Sequence, residues 1–98
     1  MSTKETEEKW HLRLYVAGMT PTAKRALANL REIAETHLAE KYEVEVIDLL
    51  ERPGLAEGEQ IFAVPTLVRK LPQPLRKIVG DLSNTEQVLV GLDLKSGS

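Results

Sequence analysis

Chemistry in this 98-residue chain would have to come from two histidines, fifteen carboxylates and thirteen Lys or Arg residues, because it contains no cysteine. That absence removes disulfides, thiol redox chemistry and cysteinyl metal sites together. His11 and His37 fall on different elements, and each reads as a surface or boundary residue rather than a general base. The carboxylates are scattered, and there is no Ser/His/Asp constellation and no phosphate-cradling glycine loop. The residues therefore point to a protein that is not an enzyme and carries neither a cofactor nor a metal. Two stretches still merit weighing. Gly18-Met19-Thr20-Pro21 lies where a strand gives way to a helix, the usual ligand position in open α/β sheets, but without a reactive side chain it reads as a turn plus a cap. Arg69, Lys70, Arg76 and Lys77 gather around Pro72 and Pro74; such a cluster suits an acidic partner, and more simply is a solvated edge.

The totals narrow the class further. A net charge of −2 gives no general pull toward nucleic acid. With 42% hydrophobic and 29% charged residues the composition is that of an ordinary globular chain, of a size for one domain. No apolar run approaches the roughly 20 residues of a membrane span. The first ten residues are polar and acidic, unlike a signal peptide, which makes the cytoplasm the expected location. Residues 1–9 read as a frayed leader, 10–94 as the domain and 95–98 as a tail.

The elements that must position these residues begin with an alternation. Trp10, Leu12, Leu14 and Val16 share one face and His11, Arg13 and Tyr15 the other, which predicts a strand with one well-buried face. Thr20-Pro21 is an N-cap followed by proline at the first helical position. The helix it opens carries Leu27, Leu30, Ile33, Ala34 and Leu38 on one face and should run to about Lys41. Residues 42–48 alternate again, with Tyr42, Val44 and Val46 opposite Glu43, Glu45 and Ile47. Two strands joined by a long helix should be parallel. A turn at residues 51–54 and a short helix within 55–62, weakened by Gly58, follow.

Residues 62–82 satisfy two periodicities. As strands they are two apolar runs, 66–71 and 75–79, hinged at Pro72-Gln73-Pro74. As helix, Val68, Leu71, Leu75, Ile78 and Leu82 recur at spacings of three and four, interrupted by prolines that forbid one continuous helix. Ser83-Asn84-Thr85-Glu86 has capping-box spacing with Ser83 as the cap, yet Val88-Leu89-Val90 with Leu92 is also a respectable strand. In a βαβαββα order the proline before the third strand, here Pro65, is commonly cis, and that α/β arrangement is the thioredoxin-like fold. The turn that would hold the redox motif reads GMTPT, so the fold would lack the chemistry.

LYVAGMTPTAKRAL (residues 14–27), VIDLLERPGLAE (46–57), AVPTLVRKLPQPLRKIVGDLSN (63–84) and VLVGLDL (88–94) resemble the KaiB circadian clock proteins, in order and over nearly the whole chain. The resemblance implies a non-enzymatic regulator that binds the hexameric ATPase KaiC, with KaiA or clock-associated histidine kinases as further partners. It also implies a metamorphic protein. The KaiC-binding form is a thioredoxin-like monomer, and the ground state is a homotetramer or dimer whose C-terminal half is rearranged as βαββααβ. On this resemblance Pro65, Pro72, Pro74, Gly91 and Asp93 belong to the switch, with proline isomerisation contributing to slow interconversion, and Arg25 to the KaiC contact. Glu43 and Glu45 stand on the strand that meets KaiC, where the clock proteins tend to carry a small residue and a Lys. Trp10 replaces a usual Tyr and Ser96 an expected aromatic, both at subunit contacts. These departures admit a clock-derived stress-adaptation role beside the circadian one. The rival expectation is a cysteine-less thioredoxin-like thiol-binding module.

Overall fold

In the computed structural model, which describes residues 9–39 and 41–94, the first alternation forms strand β1 (Trp10–Val16) at the heart of a four-stranded sheet. Helix α1 (Pro21–His37) and strand β2 (Tyr42–Asp48) follow, then a short helix α2 (Gly54–Glu59). Strands β3 (Thr66–Leu71) and β4 (Arg76–Val79) and helix α3 (Thr85–Gly91) complete the chain. The sheet order is β2-β1-β3-β4, with β1 and β2 parallel and both β1–β3 and β3–β4 antiparallel. This is the βαβαββα arrangement, and residues 62–82 take the strand reading in it. The Val64–Pro65 bond is cis, as are Leu71–Pro72 and Gln73–Pro74. The second strand begins at Arg76 rather than Leu75.

The sheet buries both faces at its centre. Leu12, Leu14 and Val16 pack with Leu67, with Ala26, Leu30 and Ile33 of α1, and with Val88 and Leu89 of α3. On the other face Tyr15, Ile47, Ile61 and Val68 make a smaller cluster, closed by Leu55 and Ala56 of α2. The expectation of one well-buried face on β1 therefore fails at Tyr15, which is 0% exposed. Its hydroxyl remains satisfied by accepting from Arg13 Nη1 at 3.1 Å, and that bond, opposed by partial burial, leaves the Arg13 pKa raised.

Two helix boundaries also move. α1 ends at His37, making it about 25 Å long at 1.5 Å per residue. Leu38 caps it by donating to the Ala34 carbonyl, and Ala39 turns away at φ 54°. At α3 the cap is Asn84, whose Oδ1 accepts from the Gln87 amide at 3.1 Å. Ser83 lies one residue ahead of the cap, its amide donating to Asp81 Oδ1 at 3.0 Å. Asn84→Ala should cost about 1 kcal/mol, read as a lower urea midpoint, whereas Ser83→Ala should leave the helix cap intact. The leader expected over residues 1–9, apart from Lys9, and the tail over 95–98, with Ser96, lie outside the described residues.

Candidate functional site

The side chains with binding chemistry collect on one open part of the sheet. In the parallel register His11 sits beside Glu43 and Arg13 beside Glu45. Alternation sends all four to the face that α2 covers only at its Tyr15 end. The result is a groove of about 620 Å³ whose lining includes His11, Arg13, Glu43, Glu45, Lys70 and Gln73. Its acidic and basic groups form a connected network. Glu43 takes His11 Nε2 at 2.9 Å and Lys9 Nζ at 3.6 Å, and Glu45 takes Arg13 Nε at 3.2 Å. Glu59, at the end of α2, closes the network with Lys70 at 2.9 Å and Arg13 at 3.8 Å. Side chains of Glu43 and Glu45 are about half exposed, and β2 is an edge strand, so both the carboxylates and one row of backbone groups are accessible.

Arg25 stands elsewhere. It projects from α1 on the opposite face, with Nη2 3.3 Å from Thr22 Oγ1 and Nε 3.5 Å from Asp81 Oδ2. Asp81 follows β4, the edge farthest from β2. The three expected partner-binding residues thus form two surfaces rather than one patch. Asp81 itself is held below the usual carboxylate pKa, first by the Ser83 side chain and amide and then by Arg25. A depressed folded pKa contributes stability that is present above the unfolded value and lost as pH falls through the folded one. Acid titration should therefore show part of the stability loss below about pH 4 disappearing in Asp81→Asn; an unchanged acid slope would refute that assignment.

The strand-to-helix turn is occupied by its own structure. Asp48 Oδ1 accepts from the Gly18 amide at 3.0 Å and from the Leu50 amide at 2.9 Å, pinning the turn to the end of β2. Gly18 has φ +79°, which a side chain rarely adopts. Thr20 Oγ1 spends its acceptor on the Ala23 amide. The turn-plus-cap reading describes it fully.

The basic cluster is the larger departure. Neighbours along β3 point to opposite faces, so its members do not form one solvated edge. Lys70 meets Glu59, and Lys77 Nζ donates to the Glu59 and Gln60 carbonyls at 2.7 and 3.0 Å. Arg76 lies 4.0 Å from Asp93. Arg69 is 3% exposed and donates to the Leu92 and Pro74 carbonyls. Arg69 shares the face of Leu67, but β3 is buried on both faces from Thr66 to Arg69, so what makes its burial tenable is the pair of carbonyls it reaches. Among the residues expected to set the switch, Pro65 is buried, while Pro72 and Pro74 border the exposed turn. Gly91 ends α3 so close to β4 that a Cβ would meet Ile78 Cδ1 at 2.8 Å, and Asp93 holds φ 66°. No group of three or more His, Cys, Asp or Glu suited to a metal occurs among the described residues.

The family model of the KaiB domain matches residues 13–94. This chain belongs to the KaiB family. A circadian clock oscillator protein KaiB of Prochlorococcus marinus is 52% identical over 94 residues, covering 96% of this chain and 78% of that protein. Among solved structures, the N-terminal domain of SasA from Synechococcus elongatus superposes with a TM-score of 0.74 at 22% identity, covering 93% of this chain and 90% of that one. Mitochondrial thioredoxin 3 of Saccharomyces cerevisiae gives 0.68 at 20% identity, over 88% and 79% of the two chains. At such identities the likeness concerns the fold, which is thioredoxin-like in this KaiB-family chain. It brings no thiol chemistry to a sequence without cysteine.

Proposed function

We propose that this KaiB-family protein is a non-enzymatic regulator that binds a KaiC-type hexameric ATPase, in circadian timing or a clock-derived stress response. The observation that carries this reading is the accessible edge strand β2 of a thioredoxin-like KaiB domain; Glu43 and Glu45 on it set the strength of the contact. Arg25, on the other side of the molecule, supplies a second contact. KaiA or a clock-associated kinase would share these surfaces. The place of action is the cytoplasm; no described helix is long and apolar enough to cross a membrane. A pull-down with a KaiC-type hexameric ATPase from the same organism tests the role. The complex should form within a day at physiological temperature and weaken at least several-fold in Arg25→Ala. Absence of any complex over that time removes the proposal.

The same reading includes a second packing of the C-terminal half, βαββααβ, assembled as a dimer or tetramer and set by Pro65, Pro72, Pro74, Gly91 and Asp93. What supports it is where the dual periodicity leaves its apolar residues. Leu71 and Leu75, two members of the helical face, lie 39% and 46% exposed in this fold, with Val79 at 65% and Phe62 at 91%. Large apolar groups left open over one segment suit a surface that another packing or copy covers. Light scattering with backbone assignment of residues 63–92 decides it. An oligomer with helix across 72–82 fits the second packing, and a single monomeric strand-containing species at all concentrations excludes it.

A further inference from the structure

Arg69 is the only buried charged side chain among the described residues, and no carboxylate reaches it. Burying a cation costs several kcal/mol unless its donors are matched, so its partners must be strong acceptors. Nη1 donates to the Leu92 carbonyl at 2.6 Å, at the C-terminal cap of α3. There the unsatisfied carbonyls of a helix carry partial negative charge. Nη2 donates to the Pro74 carbonyl at 2.7 Å, inside the turn between β3 and β4. The guanidinium carbon lies 5.2 Å from the centroid of the Trp10 ring on β1, within range of a cation–π contact. Only Nε lacks a partner. Desolvation, reinforced by Arg76 and opposed by Asp93, lowers the pKa, but an arginine remains charged wherever the protein folds.

One side chain thus adds polar contacts among three parts of the chain, two of which, β1 and the α3 end, also meet in the apolar core. α3 touches the sheet through few apolar residues, chiefly Val88, Leu89 and the capping Leu92. The turn at residues 72–74 is largely exposed. We propose that Arg69 is a latch that fastens the turn at 72–74 and the C-terminal end of α3 to β1 through the Pro74 and Leu92 carbonyls over the Trp10 ring, so that turn and helix end open as one unit. The latch concerns opening within this fold and stands whether or not a second packing is populated.

Native-state hydrogen exchange tests it directly. In Arg69→Met, which keeps length and apolar bulk but no donors, the amides of Leu92, Asp93 and Leu94 should exchange at least tenfold faster. Those of α1 and of the β1–β2 ladder should keep their rates. Trp10, the only tryptophan, should report the lost cation as a changed emission. Arg69→Lys, with one ammonium for two carbonyls, should recover part of the protection. Lys70→Met, which breaks only the Glu59 pair, should leave α3 unaffected. Equal acceleration in every element would reduce Arg69 to a general stabiliser, and unchanged α3 rates would refute the latch. Should Arg69→Met not fold, the wild type still decides: the Arg69 and Arg76 amides, paired across the mouth of the β3–β4 turn, and those of the α3 end must share one opening free energy, and two different energies overturn the proposal.

Discussion

Leu14→Ala is expected to remove about 3–4 kcal/mol of stability. Leu14 is fully buried at the middle of β1, the strand flanked by β2 on one side and β3 on the other. Its backbone is held in register with Val46 and Leu67, so the strand has little freedom to move into the space. The side chain belongs to the cluster shared by α1 and α3, where Leu30 and Leu92 are also fully buried. Truncation leaves a cavity that these neighbours fill only in part, adding a cavity term to the lost transfer energy. For a domain of this size, with a total stability of about 5–15 kcal/mol, that loss is a large share. Urea titration should show a lower midpoint at unchanged slope. A loss under about 1 kcal/mol would mean the site collapses, contrary to the pinned register. Leu50→Ala, at a residue 71% exposed, is the matched control and should stay within about 0.5 kcal/mol of the wild type.

The elements that could be read from the sequence are those whose burial follows one periodicity. α1 is such an element, because a single apolar face meets the common core and Thr20-Pro21 marks the helix start; β1 and β2 show the alternation, with Tyr15 and Ile47 buried on the opposite face. What escaped depended on neighbours distant in sequence. Tyr15 is buried because α2 closes the second face of the sheet, and its hydroxyl is satisfied by a residue two positions away. Residues 62–82 offer local spacing to both strand and helix. β3 settles the matter here by pairing with β1 and β4 at once, which satisfies its backbone on both sides. Arg69 looked like one of four surface cations because charge argues for exposure. Strand alternation argues the reverse, and the carbonyls of Pro74 and Leu92 make the buried position tenable. The candidate binding residues Arg25, Glu43 and Glu45 came from the resemblance to the KaiB proteins, which does not by itself give their arrangement. Whether Arg25 shares a surface with Glu43 and Glu45 depends on strand order, which spacing does not encode.

Reversing the β2 edge, with Glu43→Lys and Glu45→Lys together, is expected to change affinity for the proposed KaiC-type partner by tenfold or more, toward tighter binding. The two carboxylates face solvent at about half exposure, and their ion pairs with Lys9 and Arg13 are of the exposed kind, worth about 0–1 kcal/mol each. The reversal therefore leaves the fold standing, with a modest penalty where a new lysine faces Arg13. At an interface the same charges act through steering and through the cost of like-charge contact, which reaches several kcal/mol. Tighter binding is the expected sign because the clock proteins this chain resembles tend to carry a small residue and a Lys at these positions. Titration calorimetry of the wild type and the double variant measures the change; equal affinity at equal fold content would take β2 out of the interface. The geometry adds a sharper requirement. Arg25 engages Thr22 and Asp81, shares no partner with Glu43 or Glu45, and lies on the opposite face toward the far edge. Combining Arg25→Ala with the reversal should then give additive effects to within about 0.5 kcal/mol. Coupling well above that value would mean the partner reads both surfaces as one.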